Sequence, residues 1–180
     1  MKIVIIPAKG GSTRLPNKNM HLLNGRPLIE YTLDYIKKCK QIDDVYVTTD
    51  NEGIIKYCRN QNIKVIKRPV TLGGETPIID VYKHAFQNIA KSNLIEILIG
   101  LQVDHPDRTI SLEETLKIFD ESQVDRLFSK DKNGIKNGAH YILSKYFLIN
   151  NISRKDITVT DDCTNIHYLE DLKKAELNLK

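Results

Sequence analysis

The sequence predicts an α/β protein: a mostly parallel, twisted sheet with helices on both faces. Two observations carry this. Residues 3–6 (IVII) and 95–102 (IEILIGLQ) are near-continuous runs dominated by branched apolar residues, the mark of strands buried on both sides in a parallel sheet. Between such runs lie segments whose apolar residues recur at helical spacing, joined by short connections. Strand and helix alternating in this way force right-handed crossovers and a parallel sheet. At 180 residues the chain fits one domain, 1–180, and no linker, repeat or low-complexity tract divides it.

Each element follows from its own pattern. After the first strand, a helix is predicted over 27–39, with Leu28, Tyr31, Tyr35 and Cys39 on one stripe and Pro27 in the first turn, where proline is tolerated. DVYVTTD at 44–50 reads as a strand, NEGIIKYCRNQN at 51–62 as a helix and IKVIKRP at 63–69 as a strand. Thr76 is expected to cap a helix over 77–91 that carries Ile79, Tyr82, Phe86 and Ile89 along one face. After the strand at 95–102, Ser111 to Glu114 forms a capping box opening a helix to about residue 121. DRLFS at 125–129 and GAHYIL at 138–143 read as short strands, and 168–180 as a terminal helix.

Composition narrows the function classes. The chain is 41% apolar and 28% charged, close to the globular average, which argues against a disordered or fibrous protein. Its longest apolar runs fall far short of the roughly 20 residues of a membrane helix, and no signal-peptide pattern opens it, so a cytoplasmic protein with no membrane partner is expected. Three scattered cysteines, Cys39, Cys58 and Cys163, form no metal or disulfide pattern and are expected as buried thiols. The net charge is +4, yet residues 1–40 alone hold eight Lys and Arg against two Asp and Glu. An excess concentrated around one loop and one helix suits a small, highly charged anion better than nucleic acid, which is read by a basic stripe spread over a face.

In open α/β sheets ligands bind beyond the carboxyl ends of the strands. Three polar loops lie there: 8–25, 69–76 and 103–109. In the first, Gly10 and Gly11 allow positive φ and close approach of backbone N–H groups, as an anion nest requires, and Lys9, Arg14 and Lys18 add three cations. Together they suit a triphosphate, although the segment is neither a Walker A loop nor GxGxxG.

The stretch IIPAKGGSTRLPNKNMHLLNGRPLIEYTLDYI resembles the opening of the cytidylyltransferases that activate acidic sugars, the acylneuraminate and Kdo enzymes. Their pattern, roughly IIPARxGSxRLPxKN followed by G-K/R-P-L-I, is met from Pro7 and Ala8 through Gly10, Gly11, Ser12, Arg14, Lys18 and Asn19 to Gly25, Pro27, Leu28 and Ile29. Lys9 replaces the usual arginine, which keeps the charge and loses the bidentate fork. VYVTTDNEGI, KRPVTLGGETPIIDVYKHAF, NGAHYILSKYFL and LEDLKKAE continue the resemblance, with Glu75 where an aspartate is usual. It implies a Rossmann-like nucleotidyltransferase fold and an enzyme that moves CMP from CTP to an acidic sugar or another small anionic acceptor. It also implies roles. Lys18, Arg14 and Lys9 would be catalytic, and Ala8, Gly10, Gly11, Ser12, Asn19, Arg68 and Gln102 would bind nucleotide. Arg108 and Asn137 would meet the acceptor.

Three departures qualify the resemblance. LQVDHPDRT mixes features of the two branches, and Asp104 takes the place of the aspartate that binds catalytic magnesium. His105 beside it is open to three readings: ligand, base or surface residue. The family's second metal-binding D-x-D falls on Asn165 and His167, with His167 a second candidate ligand and Asp161, Asp162 and Asp171 nearby as substitutes. Mg2+, with Mn2+ as an alternative, is the expected cofactor. Finally, only a short segment separates the fourth helix from NGAHYIL, so the family's dimerisation arm is absent and a monomer or a differently built dimer is expected. A non-catalytic nucleotide-binding or partner-binding protein is the alternative reading, and a Kdo-like or guanylyl-transferring relative a third.

Overall fold

The computed structural model describes residues 1–74 and 76–179; Glu75, and Lys180 at the end of the expected terminal helix, lie outside the described residues. The chain runs β1 (Lys2–Pro7), β2 (Leu22–Leu23), β3 (Arg26–Pro27), α1 (Leu28–Lys37), β4 (Asp44–Thr49), α2 (Glu52–Asn60), β5 (Lys64–Lys67) and α3 (Ile78–Gln87). It continues with β6 (Ile97–Gly100), α4 (Leu112–Ser122), β7 (Arg126–Lys130), β8 (Lys136–Ser144), α5 (Lys145–Asn150), β9 (Asp156–Thr160) and α6 (Leu169–Asn178). Seven strands form one sheet in the order β5-β4-β1-β6-β8-β7-β9, and β2 pairs with β3 in a separate ribbon.

The pairs β1–β4, β1–β6, β4–β5 and β7–β9 are parallel, and β8 runs antiparallel to both β6 and β7. The sheet is therefore mostly parallel, as the run of buried strands requires. Strand β1 shows why: Ile3, Val4, Ile5 and Ile6 are all fully buried. Val4 and Ile6 pack with apolar residues of α1, α2, α4 and α6 on one face, whereas Ile3 and Ile5 pack with Tyr82 and Ala85 of α3 and Phe147 and Leu148 of α5 on the other. A strand serving two cores has no room for polar alternation.

Several local expectations change. Thr76 does not cap α3: its hydroxyl donates to the Gly73 carbonyl at 2.8 Å, Pro77 is the N-cap, and the helix ends at Gln87 instead of residue 91. Ser111 caps α4, its Oγ accepting from the Glu114 N–H at 3.1 Å, but the expected capping box is incomplete, since no bond from the Ser111 N–H to the Glu114 carboxylate is found among the described residues. The short helix α5 and the edge strand β9 were not expected. All three cysteines are free and buried. No helix among the described residues is long and apolar enough to cross a membrane.

Candidate functional site

From β1 the chain passes through α1, β4, α2 and β5 toward one edge, and then returns to the other side of β1 as β6. The reversal leaves a crevice at the carboxyl ends of β1 and β6, the place where such sheets bind ligands. A cavity of about 420 Å³ opens there. The loop after β1 supplies Lys9, Ser12, Thr13, Arg14, Lys18 and Asn19 to its wall, and the loop after β6 supplies Gln102 and Asp104. Arg68 enters from the end of β5, His167 from the approach to α6, and Leu72, Ile78 and Val81 form an apolar side.

Nine of the residues predicted from sequence thus meet in one place: Lys9, Ser12, Arg14, Lys18, Asn19, Arg68, Gln102, Asp104 and His167. Lys18 is the best anchored of the cations. Its ammonium donates to Asp104 Oδ2 at 2.5 Å and to the Ile166 carbonyl at 3.0 Å, and both side chains of the ion pair are only 13% exposed. Burial pushes the Asp104 carboxyl up, but the Lys18 ammonium more than offsets this and holds it below the ordinary carboxylate range. The Asp104 carbonyl in turn accepts from the Ile166 N–H at 3.0 Å, so the β6 loop and the segment before α6 are stitched together.

Arg68 is different in kind. It is 4% exposed, and its Nε and Nη2 have no hydrogen-bond partner among the described residues. The nearest anion is Asp50, whose Oδ1 lies 3.8 Å from Nη2. Burial pulls the guanidinium pKa down, and Asp50 opposes that. An under-coordinated buried guanidinium on a cavity wall is poised for an incoming acceptor group.

Other predicted residues take different places. Gly10 and Gly11 do not adopt positive φ. Gly10 instead allows close approach, since a Cβ there would stand 2.9 Å from the Asn51 side chain. Its N–H donates to Asp50 Oδ1 at 2.7 Å, so that group is taken by protein. Ala8 is buried and its N–H donates to the Thr48 carbonyl at 2.9 Å. Gly11 does not line the cavity either.

The two acceptor candidates also lie off the cavity wall. Arg108 gives its guanidinium to the carbonyls of Gln102 (2.5 Å), His105 (2.5 Å) and Ala139 (3.1 Å) and to Thr32 Oγ1 (3.3 Å), which makes it a clip between the β6 loop and β8. Asn137 donates to the Asp161 carbonyl at 2.6 Å and accepts from Ser129 Oγ at 2.6 Å. Backbone carbonyls in a turn compete successfully for such donors, and the sequence does not reveal where they fall.

On the metal side, Asp104 and His167 share the wall, and His167 Nδ1 is buried without a partner among the described residues. Burial, then the fields of Arg14 and Lys18, lower the His167 pKa. The suggested substitutes are committed elsewhere. Asp161 is fully buried and accepts from the Thr109 N–H and hydroxyl, Asp162 pairs with Lys132, and Asp171 accepts the His167 and Tyr168 N–H groups at the start of α6. The Asn165 amide leans toward the Asn137 carbonyl at 3.4 Å. No group of three or more His, Cys, Asp or Glu positioned to hold a metal exists among the described residues. His105 is not a surface residue: it is fully buried, its Nδ1 faces the Thr164 carbonyl at 3.1 Å, and burial brings its pKa down to about 4.

The residue missed from sequence is Asp50, which joins the ends of β1, β4 and β5 through Gly10 and Arg68. Its place at the end of VYVTTD was visible, but not its partners.

Comparison with known proteins agrees with this architecture. The chain is 35% identical over 128 residues to a 3-deoxy-manno-octulosonate cytidylyltransferase of Bdellovibrio bacteriovorus, covering 69% of this chain and 49% of that protein. It is 33% identical over 131 residues to an N-acylneuraminate cytidylyltransferase of Streptococcus agalactiae, covering 71% and 31%. The match thus spans about half the length of the first relative and about a third of the second. A solved CMP:2-keto-3-deoxy-manno-octonic acid synthetase in complex with CTP has the same fold, with a TM-score of 0.78, 15% identity and coverage of 99% of this chain and 98% of that one. The family model described as cytidylyltransferase matches residues 3–106, a stretch that runs from β1 through Asp104 and takes in the loops after β1, β5 and β6 that line the crevice, so the chain belongs to the cytidylyltransferase family.

Proposed function

We propose that this chain transfers CMP from CTP to an acidic sugar or another small anionic acceptor, releasing pyrophosphate. The observation that carries the reading is the convergence of Lys9, Arg14, Lys18 and Arg68 on one cavity at the switch point of the sheet. In the reaction an acceptor oxygen attacks the α-phosphorus, the bond to the bridging oxygen breaks, and pyrophosphate leaves with that electron pair. Such transfers depend mainly on positioning and on neutralising charge at the phosphate oxygens. Lys18, anchored by the Ile166 carbonyl, would stabilise the developing charge with its other N–H groups, and Arg14 and Lys9 would hold the triphosphate. Arg68 and Gln102 would orient the nucleotide. With Arg108 and Asn137 bonded within the protein, an acceptor carboxylate would fall to Lys9 and the exposed Arg14 of the β1 loop.

The donor set suits a single magnesium carried largely by the triphosphate. Such an ion needs one or two carboxylates from the protein, and Asp104 offers one. When bound, it would neutralise charge on the phosphate oxygens. The imidazole of His167 suits softer metals.

Removing one preorganised contact of this kind costs on the order of 10²–10³ in rate. Lys18→Ala should therefore lower CTP-dependent turnover by about that factor while leaving the far-ultraviolet circular dichroism unchanged. Unchanged turnover removes Lys18 from the mechanism. The replacement of the D-x-D carboxylates by Asn165 and His167 favours a second reading, a nucleotide-binding protein without transferase activity. It predicts CTP binding with no pyrophosphate released.

A further inference from the structure

We propose that Lys18 acts as a built-in cation that closes Asp104 to free divalent metal, so that the site takes its metal only together with a polyphosphate. The inference rests on the reading above only in treating the cavity as a triphosphate site.

Asp104 contributes the single carboxylate on the cavity wall among the described residues, and Lys9, Arg14, Lys18 and Arg68 surround it with four cations. The Lys18 ammonium already sits 2.5 Å from Asp104 Oδ2. A second contact to the Ile166 carbonyl at 3.0 Å holds it there, and that segment is itself tied to the Asp104 carbonyl. A bare divalent ion approaching Asp104 must displace an anchored ammonium and enter a region of net positive charge. At an effective dielectric constant of about 20, one unit charge against a divalent ion at roughly 4 Å costs several times the free energy of a tenfold change in affinity. A polyphosphate reverses the balance. Its oxygens neutralise the surrounding cations, supply most of the metal's ligands, and give Lys18 an alternative acceptor. Lys18 thereby sets the order of events: anion with metal, never metal alone.

The test uses Mn2+ as the probe and water-proton relaxation as the readout, which rises when Mn2+ is bound to a macromolecule and involves no turnover. Wild-type protein is titrated with Mn2+ alone and then with Mn2+ and inorganic tripolyphosphate. Lys18→Met, which keeps the apolar stem, and Lys18→Gln are titrated with Mn2+ alone. Wild type should show no enhancement with Mn2+ alone and clear enhancement once tripolyphosphate is present. The Lys18 variants should bind free Mn2+ at least about tenfold more tightly than wild type, and adding Asp104→Asn should abolish the gain. Equal Mn2+ behaviour in wild type and both Lys18 variants, whether tight or undetectable, overturns the proposal. So does a gained site that survives Asp104→Asn. Because these arms contain no CTP and no acceptor, their failure is distinct from failure of the CMP-transfer reading, which is judged by pyrophosphate release alone.

Discussion

Arg68 and Arg108 show how much of a residue's role is decided by what lies around it. Both are arginines in loops that follow strands of the sheet, and from sequence both are candidates to meet a ligand. Arg68 has two nitrogens without a partner among the described residues and a place on the cavity wall, whereas Arg108 has every nitrogen bonded to a carbonyl or hydroxyl. The difference follows from carbonyls presented by the turn at 102–105 and by β8, which no spacing rule reports. Arg108→Ala should therefore act on stability: three part-buried carbonyls lose their donor, at a cost of about 2–3 kcal/mol, measured as a lower urea midpoint. An unfolding midpoint equal to wild type, with acceptor affinity lost, would return Arg108 to the site. The cations of the β1 loop were legible because lysine and arginine beside a glycine pair have few apolar alternatives. Asp50 was not, because its value lies in partners 40 residues back and 18 residues on.

At the level of elements, the strands that bury both faces announced themselves, and of the two edge strands β5 was legible while β9 was not. Strand β9 buries only Val159, and α5 is six residues long, too short for a helical stripe to emerge. What holds the β9 edge is polar. Asp125, buried before β7, accepts from the Arg154 N–H (2.8 Å), Nε (2.9 Å) and Nη2 (2.7 Å) and from Ser144 Oγ (3.1 Å). These bonds, those of the Arg154 guanidinium foremost, outweigh burial and hold the Asp125 carboxyl far below the usual carboxylate range. The folded state thus binds this proton less readily than the unfolded chain, whose aspartate titrates near about 4. The stabilisation is complete above that pH and drains away as pH falls toward the lower, folded value. Urea midpoints measured between about pH 7 and 3 should fall in acid for wild type and fall less steeply for Asp125→Asn. Parallel profiles would remove Asp125 from the account. The failed Thr76 cap belongs to this scale too: the hydroxyl found a nearer carbonyl in its own turn, a competition to which threonine is prone.

For the molecule as a whole, the sheet order does what no single motif does. Sending β4 and β5 to one side of β1 and β6 to the other opens a crevice at the ends of the two central strands. The strongly basic segment 1–40 delivers its β1 loop to that crevice, which is why an excess of charge with no evident face in the sequence becomes a local cluster of cations on one cavity. The fold class and most of the cationic wall were legible from apolar runs and loop chemistry. The acceptor side was not, since it depends on which donors the backbone leaves unclaimed. CMP transfer by this chain is decided by pyrophosphate release from each of the four ribonucleoside triphosphates with Mg2+ or Mn2+, against a panel of sugar acids, sugar phosphates and phosphonates. Release that requires CTP together with a sugar acid or another small anion is the predicted result, and binding of CTP without release under every condition would contradict it.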